Sequence, residues 1–259
     1  MNGFINLIKP EGMSSSYAVV GVKKKFNIPC GHMGTLDPMA SGVLPIGVGQ
    51  ASRLFGYTLD KKKTYLAEFK FGILTDTLDV TGKIEKTVDI IPSVNEITAV
   101  LKEFTGKISQ IPPRYSAKCV NGKKGYVLAR RGVDFTLLPK EVEIFSFDYK
   151  ERVSEDTFRF EITCGGGTYI RSLARDLGER LDTCCVMSAL KRTRSGIFTI
   201  DNGVTFEEFV NSAAPEKYLI PSDECLNYEK IVLDNEKATK ILNGVFENHG
   251  YPDGLYRVY

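Results

Sequence analysis

The chain has no run of 18 or more apolar residues, the length a membrane-crossing helix needs, so no membrane span is expected. Its first residues, MNGFINLIKPEG, lack a charged start followed by a long apolar block, and they lack a cleavage-site pattern; no signal peptide is expected either. No C-x-x-C pair occurs among the six cysteines, Cys30, Cys119, Cys164, Cys184, Cys185 and Cys225, and there are only two histidines, His32 and His249. A zinc site is poorly supplied, and the thiols read as reduced and mostly buried, which suits a cytoplasmic protein. Dinucleotide-binding motifs and internal repeats are absent as well, so neither a nicotinamide enzyme nor a solenoid is indicated.

Net charge is also nearly missing, at +2, but it is unevenly placed. Residues 107–140 hold eight bases (Lys107, Arg114, Lys118, Lys123, Lys124, Arg130, Arg131, Lys140) against one acid, Asp134, a net +7 over 34 residues. The remainder of the chain therefore carries −5. Such a segment is either a solvated loop or a grip for a polyanion held along one face. Pro112-Pro113 and the glycines at 122, 125 and 132 mark it as a protruding insertion. By contrast, residues 221–259 hold seven acids and four bases, which argues against that end as the main polyanion grip.

A length of 259 residues with 42% hydrophobic and 25% charged content fits one large globular domain, or one plus an appendage. Ser14 can cap a helix through Phe26, with Val19, Val22 and Phe26 on one face and Lys23, Lys24 and Lys25 at its end. Residues 64–71 alternate, with Tyr65, Ala67, Phe69 and Phe71 on one side, as a strand with one buried face does. Phe158, Phe160, Ile162 and Cys164 alternate likewise. They run into Gly165-Gly166-Gly167 and a helix with Thr168 as its expected N-cap and Ile170, Leu173, Ala174, Leu177 and Leu181 as its apolar face. Ser93/Glu96 and Thr205/Glu208 have capping-box spacing. Strands and helices interleave without a regular βαβ period, which predicts a mixed α/β, or α+β, domain with much antiparallel pairing.

Residues 31–38, GHMGTLDP, hold the first candidate for chemistry. Pro38 pushes Asp37 toward extended backbone, and Gly31, Gly34 and Gly42 permit tight turns or the close approach of a ligand. Asp37 reads either as a turn or cap residue or as a nucleophile, and His32 as a structural hydrogen-bonder or a site residue. Tyr65 on its apolar face reads as a core aromatic. Arg171, in the first turn of the helix after the glycines, gains nothing from the helix dipole; it is a surface cation or the partner of a carboxylate.

In order, the chain contains KPEGMSSSYAVV, GHMGTLDPMASGVLPIGVGQASRL, KKKTYLAEFKFGILTDTLDVTG, QIPPRYSAKCVNGKKGYVLARRG, GGGTYIRSLARDLGERL and ALKRTRSGIF. From about residue 9 to 198 this series resembles the TruB family of tRNA pseudouridine synthases. The resemblance implies the pseudouridine synthase catalytic fold over 1–220, with a central, largely antiparallel sheet flanked by helices, and a basic, thumb-like, RNA-gripping insertion at 112–140. It implies isomerisation of the T-loop uridine at position 55 of tRNA, with no cofactor and no metal, by a monomer gripping the T arm and elbow. The family's catalytic Asp, motif Tyr and Arg map onto Asp37, Tyr65 and Arg171. Its flipping His maps onto His32, and its uracil-site Tyr and Leu onto Tyr169 and Leu190. Lys118, Lys123, Lys124, Arg130 and Arg131 become the expected phosphate contacts.

In one respect the chain departs from the family pattern: 221–259, with EKATKILNGVF and then GLYRVY, reads as a reduced or truncated form of the small PUA-like module. Three other readings compete with the stand-alone enzyme. They are a tRNA-folding chaperone, a guide-RNA-dependent subunit acting on ribosomal RNA, and a metal-dependent hydrolase built on His32 and Asp37.

Overall fold

Period-two alternation builds the framework, and capped helices cover it. The computed structural model describes residues 1–57, 62–120, 122–226, 228–245 and 250–259, so Phe246 and His249 lie outside the described residues. The elements begin with β1 (Gly3–Lys9), α1 (Ser15–Phe26), β2 (Cys30–His32), β3 (Ser41–Val48) and β4 (Lys63–Phe71). A hairpin of β5 (Ile73–Thr75) and β6 (Ile84–Thr87) follows, then α2 (Val94–Val100) and β7 (Gly106–Gln110). The basic segment contributes β8 (Cys119–Val120), β9 (Lys123–Lys124) and α3 (Gly125–Arg130). Next come β10 (Lys140–Arg152), β11 (Thr157–Cys164), α4 (Ile170–Arg180), β12 (Cys185–Ser195), β13 (Phe198–Thr199), β14 (Val204–Thr205) and α5 (Phe206–Asn211). The last elements are β15 (Glu229–Ile231), α6 (Asn235–Leu242) and β16 (Tyr256–Val258).

One sheet organises most of these strands in the order β14-β1-β3-β12-β4-β11-β10-β7, with β2 on β3 and β13 on β12. Its pairs are antiparallel except β1 with β14 and β3 with β12, so the mixed, largely antiparallel sheet expected from the sequence is present. Tyr65, Ala67, Phe69 and Phe71 of β4 are buried, and Ile162, Phe160 and Phe158 of β11 stand opposite Tyr65, Ala67 and Phe69. Leu173, Ala174 and Leu177 of α4 and Ala18 and Val22 of α1 complete the same apolar core.

Local chemistry sets the helix ends. The Ser14 hydroxyl accepts from the Tyr17 amide, and α1 stops at Asn27, which takes the left-handed conformation at φ 52°. Both expected capping boxes are formed. The start of α4 differs from expectation. Its N-cap is Tyr169 with no side-chain cap, and the Thr168 hydroxyl donates instead to Gly165 O at 3.0 Å. The cause is tertiary: the Gln110 side chain, 1% exposed, accepts from Tyr169 N at 2.8 Å and donates to Tyr169 O at 3.1 Å. A buried amide from β7 thus fixes the peptide groups that a local hydroxyl was expected to serve.

The parallel contact of β3 with β12 is short, pairing Ser41 with Lys191 and Gly42 with Arg192. Gly42 sits at φ 102°, and a Cβ there would lie 2.2 Å from Arg192 O. Gly42→Ala is therefore expected to cost about 3 kcal/mol or more of stability, from backbone strain and steric overlap together, read as a lowered urea midpoint.

Candidate active site

The residues flanking Asp37 are held by their backbone atoms. The buried Ser15 hydroxyl donates to Leu36 O at 2.8 Å and accepts from Leu36 N at 2.9 Å. Lys9, fully buried, donates to Pro10 O, Met13 O and Pro38 O at 2.8, 2.6 and 3.4 Å, and Gly12 N donates to Pro38 O at 2.8 Å. Arg192 Nη2 donates to Gly34 O at 3.1 Å. With its neighbours fixed, Asp37 keeps its side chain 36% exposed and ion-pairs through Oδ2 with Arg171 Nη2 at 2.9 Å.

Arg171 is no surface cation; its side chain is 7% exposed. Nη1 donates to Thr77 O at 2.8 Å and faces Asp79 Oδ2 at 3.4 Å, while Nη2 also donates to Tyr115 O at 3.0 Å. Asp79 is itself 7% exposed and spends its other oxygen within its own turn. Oδ1 accepts from the Thr77 hydroxyl, the Thr81 amide and the Thr81 hydroxyl at 2.8, 3.0 and 2.5 Å. Leu78, in that turn, adopts φ 61°, a costly conformation for a branched side chain. Hydrogen bonds of Leu78 O and Val80 N with the Met187 backbone hold the turn against β12. One buried guanidinium therefore joins an exposed carboxylate, a buried carboxylate and the root of the basic segment. Asp79 and Gln110 were not singled out from the sequence. Their only local signals were the threonine-rich TDTLDVTG run and a glutamine just before Pro112-Pro113.

Tyr65 is buried on β4, with Arg192 of β12 directly opposite and Asp37 near enough to act on its phenol electrostatically. Burial pushes its phenol pKa up, the positive charge of Arg192 pulls the other way, and Asp37 is near enough to add a smaller upward push. Arg192, fully buried, donates Nε to Val43 O at 2.7 Å, while its Nη1 is buried without a hydrogen-bond partner. Lys63 projects from the same face of β4 as Tyr65; burial, and then the charge of Arg192, push its ammonium down to about 8. Lys9 also falls to about 8 through burial, opposed by Asp37. Burial and then Arg192 lower the His32 pKa, and its Nδ1 is buried without a partner, so the ring is neutral at pH 7. Leu190 is buried opposite Ala67, and Tyr169 is half-buried at the head of α4.

The five basic residues expected to meet phosphate lie apart from this cluster. Lys123, Lys124, Arg130 and Arg131 are exposed. Lys118 is half-buried and donates to Leu138 O at 3.3 Å, and Arg130 lies over the Tyr126 ring. Their segment meets the cluster at the bond from Arg171 to Tyr115 O. Sequence reasoning also passed over Lys9, Lys63 and Arg192, because buried cations on apolar strands have no pattern of their own.

Lys63 yields a pH dependence. Its pKa is about 8 in the fold against 10.5 for an unhindered lysine. Between those values the unfolded chain binds the extra proton, so stability contributed by this site is fully present above 10.5, falls as pH drops from there, and is lost by about 8. Lys63→Met is expected to stabilise the fold at pH 7 by about 1 kcal/mol and to lose that advantage near pH 10, as followed by urea unfolding across the range.

The arrangement is a carboxylate aimed by a buried arginine, with a buried phenol in its electrostatic reach. Residues 22–170 match the TruB family pseudouridylate synthase (N terminal domain), and residues 171–237 match the tRNA pseudouridylate synthase B C-terminal domain. The tRNA pseudouridine synthase B of Clostridium kluyveri is 40% identical over 267 residues, covering 100% of this chain and 92% of its own. That of Alkaliphilus oremlandii is 41% identical over 253 residues, covering 96% and 84%. Among solved structures, a chain from a Cbf5-Nop10-Gar1 complex superposes with a TM-score of 0.71 at 26% identity, covering 94% of this chain and 67% of that one. With two family domains meeting at Arg171 and relatives near 40% identity along its whole length, the chain belongs to the TruB family of pseudouridylate synthases.

Proposed function

We propose that this protein is a tRNA pseudouridine synthase that isomerises the T-loop uridine at position 55. The observation that carries the reading is the 2.9 Å ion pair between Asp37 and the buried Arg171, with buried Tyr65 near enough to feel the Asp37 charge. Breaking the bond between uracil N1 and the ribose develops positive character at C1′, and a carboxylate can trap or shield that centre. Asp37 is the exposed member of the ion pair and so the one a substrate can reach. Arg171 fixes its direction, and Asp79 in turn fixes Arg171. Asp37 either bonds to C1′ or supports a glycal formed when the C2′ proton is lost. Tyr65 stacks on the uracil and is the base for that proton, while Tyr169 and Leu190 frame the ring. Reactant and product have the same atoms, so the reaction consumes no co-substrate.

A uridine in a folded loop must be turned out of its stack, at a cost of a few kcal/mol. Neutral, aromatic His32 suits the vacated space. The exposed bases of 112–140 take the phosphates of the T arm, and each phosphate neutralised steepens the salt dependence of binding. Tyr115 links this grip to Arg171, so bound RNA and the ion pair are mechanically connected. The same opening of the tRNA elbow supports a folding role beside the chemistry. Residues 221–259 are a reduced or truncated PUA-like segment in this reading.

The test is pseudouridine mapping on a T-arm stem-loop with purified protein alone. Wild type is expected to convert the loop uridine without a guide RNA. Asp37→Asn is expected to bind within about threefold of wild type and form no product; product from that variant would remove Asp37 from its role. Asp79→Asn is expected to slow single-turnover conversion at least about tenfold with little change in Kd, because Arg171 loses a charge partner but the RNA grip is untouched.

A further inference from the structure

We propose that Arg192 is a positioning residue for Tyr65: its guanidinium, anchored by two backbone carbonyls, holds one donor and its positive charge ready for the phenol oxygen once that oxygen is ionised. The inference rests on the proposed role of Tyr65 as base for the C2′ proton.

Register supplies the first support. Arg192 and Tyr65 are direct cross-strand partners on β12 and β4, the spacing at which facing side chains interact, and both are buried. Anchoring supplies the second. Nε is committed to Val43 O at 2.7 Å and Nη2 to Gly34 O at 3.1 Å, so the guanidinium plane cannot swing away. The third is the orphan. Among the described residues Arg192 Nη1 is buried without a well-formed hydrogen bond, a costly state for a charged donor, while the guanidinium already acts on the Tyr65 phenol through both its charge and a side-chain hydrogen bond that lower the phenol pKa. A phenolate would satisfy it, whereas a carboxylate would tie it up permanently, and Asp37 is already held by Arg171.

The titratable and charged groups around Tyr65 are few. Arg192 faces it from β12, Cys164 lies on β11, Asp37 is on the loop above, and Lys63 is two residues back on the same face of β4. Cys164 has its pKa raised to about 11 by burial, so it is a neutral thiol at pH 7 and gives no cation. Asp37 opposes ionisation of the phenol. Of the two cations, Lys63 loses its proton around pH 8, which leaves Arg192 as the counter-charge for a phenolate. The phenol would release its proton to solvent before the substrate is committed. The phenolate would then take the C2′ proton as the bond from C1′ to N1 breaks with its electron pair to the uracil. It would return that proton to C2′ when C5 bonds to C1′, with the C5 proton lost and N1 reprotonated.

Chain uniformly carrying [ζ-13C]tyrosine tests this directly. The Tyr65 signal is identified by its loss in Tyr65→Phe, and its chemical shift is followed from pH 8 upward, past pH 12, in wild type, Arg192→Lys and Arg192→Gln. Tyr65 is expected to ionise at least one pH unit higher in Arg192→Gln than in wild type, with Arg192→Lys between them. Equal or lower ionisation in the Gln variant overturns the proposal. Should Arg192→Gln fail to fold, a double-mutant cycle on the stem-loop decides. Arg192→Lys is expected to slow single-turnover conversion at least tenfold in the wild-type background and by less than twofold in Tyr65→Phe; equal slowing in both overturns it. A phenol that shifts as expected while the rate does not follow upholds the coupling and removes Tyr65 as the base.

Discussion

The buried guanidinium of Arg171 is the constraint on which the rest of the centre depends. A charge at 7% exposure is stable only with compensating partners, and its partners come from three separated parts of the chain. Asp37 arrives from the loop before β3, Asp79 and Thr77 from the turn between β5 and β6, and Tyr115 from the root of the basic segment. Satisfying one side chain therefore defines where three loops must stand. The helix that carries Arg171 is in turn fixed at its head by Gln110, and Ser172 and Arg175 both donate to Ile111 O just beyond it.

A second charged centre lies below the first and is built on opposite terms. Arg171 is shared by two carboxylates, whereas Arg192 is tethered by carbonyl oxygens and stands near the lysines Lys9 and Lys63, His32 and Tyr65. The two arginines are both buried, yet one is neutralised and the other is left with spare positive potential beneath Tyr65. A sheet strand can hold such a group because its backbone carries the tethering acceptors at fixed positions. The cost appears in Lys63 and Lys9, each lowered to about 8.

The frame was readable where periodicity is strong. The alternations of β4 and β11, the Ser14 cap and both capping boxes follow from local rules, and each is present where the residues implied it. Asp37 and Arg171 were legible as candidates because a glycine-loosened loop and an ill-placed cation are locally odd. The cap of α4 was misjudged because Gln110 acts across 59 residues, and no window of sequence contains that bond. Asp79 and Arg192 were passed over for the same reason. A threonine-rich turn and an arginine on a strand acquire meaning only when a guanidinium or a phenol arrives from elsewhere.

The short parallel seam of β3 with β12 has a consequence for how the protein is made. Arg192 Nε and Val43 O are 149 positions apart in the chain. At roughly 5–20 residues added per second, the loop bearing Asp37 waits on the order of ten seconds at the ribosome before the strand that secures it has been synthesised. Through most of that interval β1 and β3 can pair and α1 can form, but the carboxylate has no Arg171 beside it until α4 is made, and no Arg192 until β12 follows. The reactive centre is thus among the last parts of the molecule to close, and a nascent chain stalled before α4 would carry its aspartate unarmed.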